Sequence, residues 1–401
     1  MIRARRKHLS LNTFPLLATR VGERVEKWGI GENRGLSRVY SSQAPLAIEG
    51  VSGTIYDISS RRDTQHYDPP VPAMPSPPTD RPKGTRLDYL GYIIMRCGIC
   101  VIQSLSLEAC DRWCRIFAAF LADWTKVRRD PIDANLLLVY GRLNPEQQAL
   151  LRRQMWHHLL LMICEIAHAP RKIHRTNWRE HFYMRDKNEM FRTMMDQRAT
   201  VLVTGHFGNF EVAGYMVGLI GTPTTTIARP LDNPYVNEFF TEFRSFGGNQ
   251  ILPKEGSSAR IQEVLDASGT ITLLADQHAG NKGCWVDFFG HPTSCHKALA
   301  LFVLSARAPM VVNYTRRLGK PLRFEMGMTG VADPADLDAA HVPEYLESVT
   351  ELTAWYNSKL EEAIRMAPEQ YWWLHRRWRE VPPAQLKRIE ARRQLKREQK
   401  H

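Results

Sequence analysis

The sequence lacks the short motifs that mark two common hydrolase classes. Neither a Gly-x-Ser-x-Gly turn, which would expose a nucleophilic serine, nor a His-Glu-x-x-His helix, which would bind zinc, occurs in the 401 residues. No internal repeat is present either, so a repeat protein is not indicated. The missing motifs disfavour a serine esterase and a zinc peptidase. Reactions in which no protein side chain acts as the nucleophile remain compatible with the sequence.

The cysteines do not form the pattern of a secreted disulfide framework. The chain has seven, an odd number, and four of them lie in one apolar stretch, so we expect reduced thiols. Two short spacings in this stretch resemble those of zinc sites, but the surrounding Ile, Leu and Phe residues and the lack of turn residues favour small apolar packing. The four cysteines are Cys97, Cys100, Cys110 and Cys114.

Acidic residues are fewer than basic ones. The chain has 42 Asp and Glu against 54 Lys and Arg, which gives a net charge of +12. A basic chain favours an acidic partner, and nucleic acid, an anionic membrane, a phosphorylated substrate and an acidic carrier protein all meet that description. Charge alone does not choose among them. The length favours one domain of roughly 250 to 300 residues with appendages.

Residues 1–86 carry no sustained apolar period. They begin with a basic stretch and end in Pro-rich sequence over residues 69–82, a composition typical of disorder. The first residues resemble a presequence, but no apolar signal core with a small-residue cleavage site follows. A start codon assigned too far upstream explains this extension as well as a targeting function does.

Residues 87–124 are predicted to form a membrane-associated helical segment. The stretch 87–107 is almost wholly apolar, with Arg96 and Gln103 among its polar exceptions, and its length just suffices to cross a bilayer. A charge near the middle costs roughly 2.5 to 3.5 kcal/mol on insertion scales. A spanning helix, a helix in the membrane interface and a helix buried in the protein therefore all remain open.

The remaining periodicity predicts packed helices followed by an α/β sheet. Apolar residues recur at helical spacing between residues 111 and 171, and from residue 200 onward short β-rich runs alternate with helical segments. The predicted strands are 200–204, 224–228, 270–275 and 310–315, and the predicted helices are 211–219, 234–246, 257–267, 294–306 and 344–366.

A histidine and a glutamate lie where the first of these strands meets a helix. In Thr204-Gly-His-Phe-Gly-Asn-Phe-Glu211, His206 follows the strand and Glu211 opens the helix. If Glu211 accepts a hydrogen bond from one ring nitrogen, the other nitrogen is free to act as a general base. Gly205 and Gly208 permit a tight turn, and the helix N-terminus favours an oxyanion or a phosphate. A histidine that is hydrogen-bonded for structural reasons is the alternative.

The string 204–211 resembles the bacterial lipid A late acyltransferases, the lauroyl and myristoyl transferases of the lysophospholipid acyltransferase superfamily. Five further blocks match in order, so the resemblance covers residues 87–379. It implies an α/β acyltransferase domain over residues 125–380, with a mixed sheet flanked by helices, and a basic tail over 381–401. The blocks are Ala228-Arg-Pro-Leu-Asp-Asn-Pro234, Ile251-Leu-Pro-Lys-Glu-Gly256, Leu274-Ala-Asp-Gln277, Phe288-Phe-Gly290 and Pro368-Glu-Gln-Tyr-Trp-Trp-Leu-His-Arg-Arg377.

The resemblance implies direct acyl transfer from an acyl carrier protein thioester, without an acyl-enzyme and without a metal. His206 would deprotonate the acceptor hydroxyl, and Glu211 would orient the imidazole. Arg229 would bind a phosphate or hold the oxyanion, with a structural salt bridge as the alternative. Further implied substrate contacts, of which the last two have a strand-end cap as the alternative, are Asn209, Lys254, Gly256, Asp276 and Gln277.

The implied partners are acyl carrier protein, a phosphorylated lipid acceptor and the membrane, at the cytoplasmic face of a bacterial inner membrane, with no nucleic acid. Coenzyme A as donor, a glycerophospholipid or other glycolipid as acceptor, and a non-catalytic lipid binder remain open. The aromatic and Arg residues of 371–379 suit a membrane interface or a phosphate-bearing ligand, or else a core edge. His278 departs from the family pattern. We expect no metal at His278, His291, His296 and Cys295, which lack a ligand spacing.

Overall fold

The computed structural model describes residues 84–194, 196–254, 256–338 and 341–398. The expected disordered extension, residues 1–86, lies almost wholly outside the described residues. The helices are α1 Arg86–Ser104, α2 Leu107–Trp124, α3 Arg129–Tyr140, α4 Pro145–Lys172, α5 Trp178–His181, α6 Lys187–Met194, α7 Phe210–Leu219, α8 Pro234–Arg244, α9 Ser258–Asp266, α10 Ala298–Ala306, α11 Val349–Met366 and α12 Pro383–Glu398.

In the described part of the chain, seven strands form one mixed sheet and two more form a separate hairpin. The strands are β1 Phe182–Met184, β2 Thr200–Thr204, β3 Thr225–Ala228, β4 Gln250–Pro253, β5 Thr270–Leu274, β6 Cys284–Phe288, β7 His291–Cys295, β8 Met310–Arg317 and β9 Phe324–Ala332. The sheet order is β1-β9-β8-β2-β5-β3-β4, and β6 pairs with β7. Within the sheet all neighbours are parallel except β8 and β9. The predicted α/β class, with a mixed sheet flanked by helices, is confirmed.

The four predicted strands are confirmed with small shifts at their ends, but two helix predictions are wrong at their starts. The helix predicted from residue 344 begins at Val349, because Glu344–Leu346 forms a separate 3-10 turn. The helix predicted from residue 294 begins at Ala298, because His291–Cys295 pairs with β6 instead. The two residues between these strands, Phe289 and Gly290, have φ values of 52° and 75°. Positive φ at both central residues is what a tight β-hairpin turn requires, so the block Phe288-Phe-Gly290 forms a turn.

Two hydrophobic clusters pack helices against the sheet. One includes Val201 and Val203 of β2 together with Leu299 of α10 and Leu360 of α11. The other is built around Met216 of α7 and includes residues of α4 and β9. Because β2 is buried along its whole length, it is a central strand, and whatever follows its carboxyl end is held by the core.

Helices α1 and α2 occupy the predicted apolar segment, and a short turn separates them. Ser106 ends that turn, and its hydroxyl accepts a hydrogen bond from the backbone N–H of Ala109 at 3.1 Å, which caps α2. Among the described residues, no helix combines the length and the apolar character that crossing a membrane requires.

The cysteines of this segment divide into two pairs. Cys110 and Cys114 are buried, and the Sγ of Cys114 lies 3.7 Å from that of Cys164 on α4. The expected apolar packing is confirmed for these two. It is wrong for Cys97 and Cys100, which are exposed on α1. The reason is that α1 packs so lightly that none of its residues is fully buried.

A buried ion pair connects α4 to β8. The guanidinium of Arg317 donates two hydrogen bonds of 2.6 Å to the carboxylate of Glu165, and these side chains are 6% and 0% exposed. Arg317 also donates to Nδ1 of His158 at 2.9 Å. Burial, and then the charge of Arg317, hold the pKa of His158 well below its ordinary value, so the ring is neutral. Its Nε2–H therefore donates to the carbonyl of Gly208 at 3.2 Å.

We predict that Arg317→Met lowers the free energy of unfolding by roughly 3 to 5 kcal/mol, because it leaves the Glu165 carboxylate buried without its cation. Urea denaturation of the purified protein measures this change. The matched control is Arg260→Met, which removes an exposed ion pair with Glu263 and is expected to cost about 0 to 1 kcal/mol. Equal losses in the two variants would contradict the prediction.

Candidate active site

His206 and Asp276 lie side by side because two neighbouring strands end together. Thr204 at the end of β2 pairs with Leu274 at the end of the parallel strand β5. Each side chain comes two residues after its strand. Oδ1 of Asp276 is 2.8 Å from Nδ1 of the His206 ring, and its Oδ2 accepts the backbone N–H of His206 at 2.9 Å. One carboxylate, 3% exposed, thus holds both the ring and the main chain of the histidine.

The predicted hydrogen bond from the His206 ring to Glu211 is replaced by this bond to Asp276. The Glu211 carboxylate is bound instead by Arg244, whose Nε and Nη2 donate at 2.9 and 2.5 Å. The cause is the direction of α7. Its first residue, Phe210, places its ring 5.0 Å from that of His206, and Glu211 is rotated about 100° further round the helix. The role predicted for Glu211 stays a prediction.

The pair has a defined charge state. Burial lowers the pKa of His206, but the charge and hydrogen bond of Asp276 more than offset this, so the pKa is raised above its ordinary value. Burial raises the pKa of Asp276, but His206 brings it down to about 2. Asp276 is therefore ionised at neutral pH and accepts the Nδ1 proton, which leaves Nε2 of the neutral ring as the basic atom.

The loop that carries His206 is attached to three other elements. The N–H of Gly208 donates to Gln370 at 2.9 Å, and the N–H of Trp372 donates to the carbonyl of His206 at 3.1 Å. The Trp372 ring lies 4.9 Å from the imidazole. Asn209 is fully buried: its Oδ1 accepts from Val212 to cap α7, and its Nδ2 donates to Glu165 at 2.9 Å. The predicted substrate contact by Asn209 is replaced by this internal bonding.

A cavity of about 680 Å³ adjoins His206. Most of its wall is apolar, including residues of β2, β3, β5, α7 and α10. Four of the other predicted site residues line it, namely Glu211, Arg229, Lys254 and Gln277. Arg229 is 80% exposed and lies 3.6 Å from a carboxylate oxygen of Asp232, which is 97% exposed. Gly256 lies in the turn after β4 with a φ of 74°, and the position that a Cβ would take is open space.

A match to a family sequence model shows the family of the chain. A sequence model described as bacterial lipid A biosynthesis acyltransferase matches residues 81–380. The chain belongs to this family.

The individual relatives share low sequence identity with the chain. The chain is 25% identical over 210 residues to the lipid A biosynthesis palmitoleoyltransferase of Escherichia coli, an alignment that covers 51% of this chain and 63% of that protein. It is 31% identical over 112 residues to the phosphatidylinositol mannoside acyltransferase of Mycolicibacterium smegmatis, covering 27% and 37%. A solved 1-acyl-sn-glycerophosphate acyltransferase from Thermotoga maritima has 12% identity and a TM-score of 0.32 over 69% of this chain and 100% of its own, which supports no inference. The chain spans less than two thirds of the length of the first of these relatives.

Much of the aromatic and basic segment 371–379 of this acyltransferase-family chain is buried, although Arg376 and Arg379 are exposed. Trp373 and Arg377 are 0% and 1% exposed. The Nδ2 of Asn135 on α3 donates to the carbonyls of Trp373 and His375 at 2.8 and 2.7 Å. The membrane-interface interpretation is therefore wrong for these buried residues, and the core-edge alternative is confirmed. Arg and Trp are amphipathic, so their composition alone did not distinguish the two.

No group of three or more His, Cys, Asp or Glu side chains in the described part of the chain is arranged to hold a metal ion. His278 is engaged internally: its Nδ1 accepts from the N–H of Gly280 at 3.0 Å. Burial, followed by the charge of Arg379, lowers the pKa of His278 to about 4. The ring is therefore neutral at physiological pH.

Among the residues that hold the site, Glu165, His158 and Arg244 were missed in the sequence. Glu165 and His158 had a detectable signal, because they are polar and lie seven residues apart among apolar side chains of the buried face of α4. Arg244 had none, since it lies 33 residues after the glutamate that it binds.

We predict that Gly208→Ala disrupts this loop, because a Cβ at Gly208, whose φ is 60°, would lie 1.6 Å from the carbonyl oxygen of Thr315. Gly221→Ala is the matched control, with a φ of 84° and open space, so it carries only the left-handed strain of roughly 1 to 2 kcal/mol. Urea denaturation should give a clearly larger loss of stability for Gly208→Ala. Similar losses would mean that the loop is not confined as described.

Proposed function

We propose that this protein transfers a fatty acyl chain from an acyl carrier protein thioester to a hydroxyl of a lipid A precursor. The observation that carries the proposal is the His206–Asp276 pair, with its basic nitrogen beside a largely apolar cavity, in a chain of the lipid A acyltransferase family. The cavity wall suits an acyl chain. The exposed cations Arg229 and Lys254 on the same wall suit the phosphates of the acceptor.

The reaction follows from the charge state of the pair. Nε2 of His206 takes the proton of the acceptor hydroxyl while that oxygen attacks the thioester carbonyl carbon. The tetrahedral intermediate then collapses, the carbon–sulfur bond breaks, and the leaving thiolate takes the proton back from Nε2. Asp276 remains ionised throughout and stabilises the transient imidazolium, as carboxylates do beside catalytic histidines. No acyl-enzyme forms.

Glu211 has an indirect part in this scheme. It holds Arg244 in the cavity wall through two hydrogen bonds, and its charge contributes to the raised pKa of His206. Removing Glu211 therefore frees a guanidinium next to the base, whereas removing Asp276 takes away the group that fixes the tautomer.

A second acceptor class has support of its own. The stretch of 112 residues with 31% identity belongs to a relative named phosphatidylinositol mannoside acyltransferase, so a different glycolipid is the alternative acceptor. The His206–Asp276 pair serves any hydroxyl, and acyl coenzyme A as donor would react by the same chemistry. Only the shape and charge of the cavity select among these substrates.

The protein binds the membrane through α1 and α2 in this proposal, at the cytoplasmic face of a bacterial inner membrane. Both helices carry a stripe of exposed apolar side chains at helical spacing, which suits helices lying in the interface plane. Asn233, at the start of α8 and close to the cavity wall at Leu231, donates to the carbonyl of Asp88 on α1 at 2.7 Å. Helix α1 is thus attached to the segment that leads into the cavity wall. The members of the apolar stripe are Leu87, Leu90, Ile94, Val101, Trp113, Ile116, Phe117, Phe120 and Trp124.

We predict that His206→Ala abolishes acyl transfer, and that Asp276→Asn lowers kcat by roughly 10²- to 10⁴-fold. Glu211→Gln is expected to cost less than Asp276→Asn. The measurement is mass spectrometry of lipid A from a strain that lacks its late acyltransferases and expresses each variant, followed by kinetics with the purified proteins. Wild type should add one secondary acyl chain, whose mass gives the chain length.

Arg260→Ala on the exposed face of α9 is the control and should act like wild type. If well-expressed wild type adds no acyl chain to lipid A, the proposed acceptor is wrong. Full activity of Asp276→Asn would remove the His206–Asp276 pair from the mechanism.

We predict that the double variant Phe117→Ser/Phe120→Ser lowers binding to vesicles of phosphatidylethanolamine and phosphatidylglycerol at least tenfold, because it takes two aromatic side chains out of the apolar stripe. Vesicle flotation with the full chain measures this. Leu318→Ser, at an exposed apolar position outside the stripe, is the control and should bind like wild type. Equal binding by both variants would rule out α2 as the docking surface.

A further inference from the structure

Gln277 lies next to the basic nitrogen of His206. Its Nε2 is 3.4 Å from Nε2 of the ring, and both side chains line the cavity. Asp276 accepts the proton on Nδ1, so Nε2 of the neutral ring carries a lone pair. The amide of Gln277 is therefore the donor in this contact, and it faces the space in which the reaction takes place.

The main chain of Gln277 is held by a buried guanidinium. Nη1 of Arg377 donates to the carbonyl of Gln277 at 3.0 Å and to that of Ser294 at 2.8 Å. Its Nη2 donates to Oδ1 of Asn357 at 3.2 Å, and the group lies 5.0 Å from the centre of the Phe288 ring. A charge 1% exposed is costly unless its hydrogen bonds are made. Arg377 uses them to fix the peptide from which the Gln277 side chain extends.

We infer that the Gln277 carboxamide donates a hydrogen bond to the thioester carbonyl oxygen as negative charge develops on it. The inference rests on the proposed function. An acceptor hydroxyl must lie within about 3 Å of Nε2 of His206, and the carbonyl carbon that it attacks within roughly 3 to 3.5 Å of the hydroxyl oxygen. An amide 3.4 Å from the same nitrogen is then within reach of the carbonyl oxygen.

The two guanidinium groups in the described cavity wall are less suited to this task. Arg244 donates to both oxygens of Glu211, so it is not free to bind the substrate. Arg229 is 80% exposed, so its position is not fixed. Gln277 is held through its backbone and keeps its amide in the cavity. The Gln277 amide is neutral and transfers no proton. It is therefore unchanged when the intermediate collapses and the thiolate leaves. Fixed donors of this kind stabilise a transition state without reorganising.

The test uses the full-length protein with two variants of Gln277. Gln277→Met keeps the length of the side chain and removes the donor, so we expect kcat to fall roughly 10²- to 10³-fold while KM stays nearly constant. Gln277→Glu places a negative charge beside the imidazole and the oxyanion. It should lower kcat at least as much and also move the acid limb of the pH profile of kcat/KM to higher pH, which a merely structural role would not do.

Gln262→Met on α9, where the exposed amide donates to Asp266 at 2.8 Å, is the matched control and should keep wild-type kinetics. Each protein is assayed twice, for transfer to a lipid A precursor and for hydrolysis of the acyl carrier thioester by water without acceptor. If wild type hydrolyses the thioester but does not acylate lipid A, the proposed acceptor is wrong, and the hydrolysis ratio still tests Gln277. A raised KM with unchanged kcat, or unchanged kinetics, in Gln277→Met would overturn the inference.

Discussion

Two hydrogen bonds join Asp276 to His206, one to the ring and one to the main chain. They exist because β2 and β5 are parallel neighbours in register, so that the residues after them share one edge of the sheet. Parallel strands bring their carboxyl ends to the same edge, which is where ligands of α/β sheets bind. The position of the base, its tautomer and its raised pKa all depend on this register. The cavity and its cations are arranged round that point.

The other side of the histidine loop is held by buried charge. Glu165 receives hydrogen bonds from Arg317 and Asn209, and His158 links Arg317 to the carbonyl of Gly208. Buried ion pairs are weak evidence for stability, since their desolvation offsets much of their attraction. Here the network connects α4, β8 and the start of α7, and so restrains the loop that carries His206. Arg377 restrains the neighbouring peptide at Gln277 in a comparable way.

The sequence predicted those features that depend on local pattern. Strand β2, the turn after it and the start of α7 follow from short-range periodicity and from Gly208, and the position of His206 follows from them. The partner of His206 did not. Choosing Asp276 over Glu211 requires the strand order, because β5 lies next to β2 only after a crossover through β3 and β4. It also requires the orientation of Glu211 on α7. An error of one residue in the predicted start of the helix would turn that orientation by about 100°.

Segment 371–379 shows the same limit, since its Trp and Arg residues have a composition that fits a membrane surface and a core edge alike. Burial distinguishes the two, and burial depends on the contact with α3 and the hairpin.

Nuclear magnetic resonance of the His206 ring, with labelled histidine, tests the central claim most directly. In the neutral ring of wild type and of Glu211→Gln, we expect a proton on Nδ1 with the downfield shift of a bond to a carboxylate. In Asp276→Asn that signal should be lost, and the pKa of His206 should fall further below its wild-type value than it does in Glu211→Gln. Loss of the signal in Glu211→Gln, together with its retention in Asp276→Asn, would contradict the account.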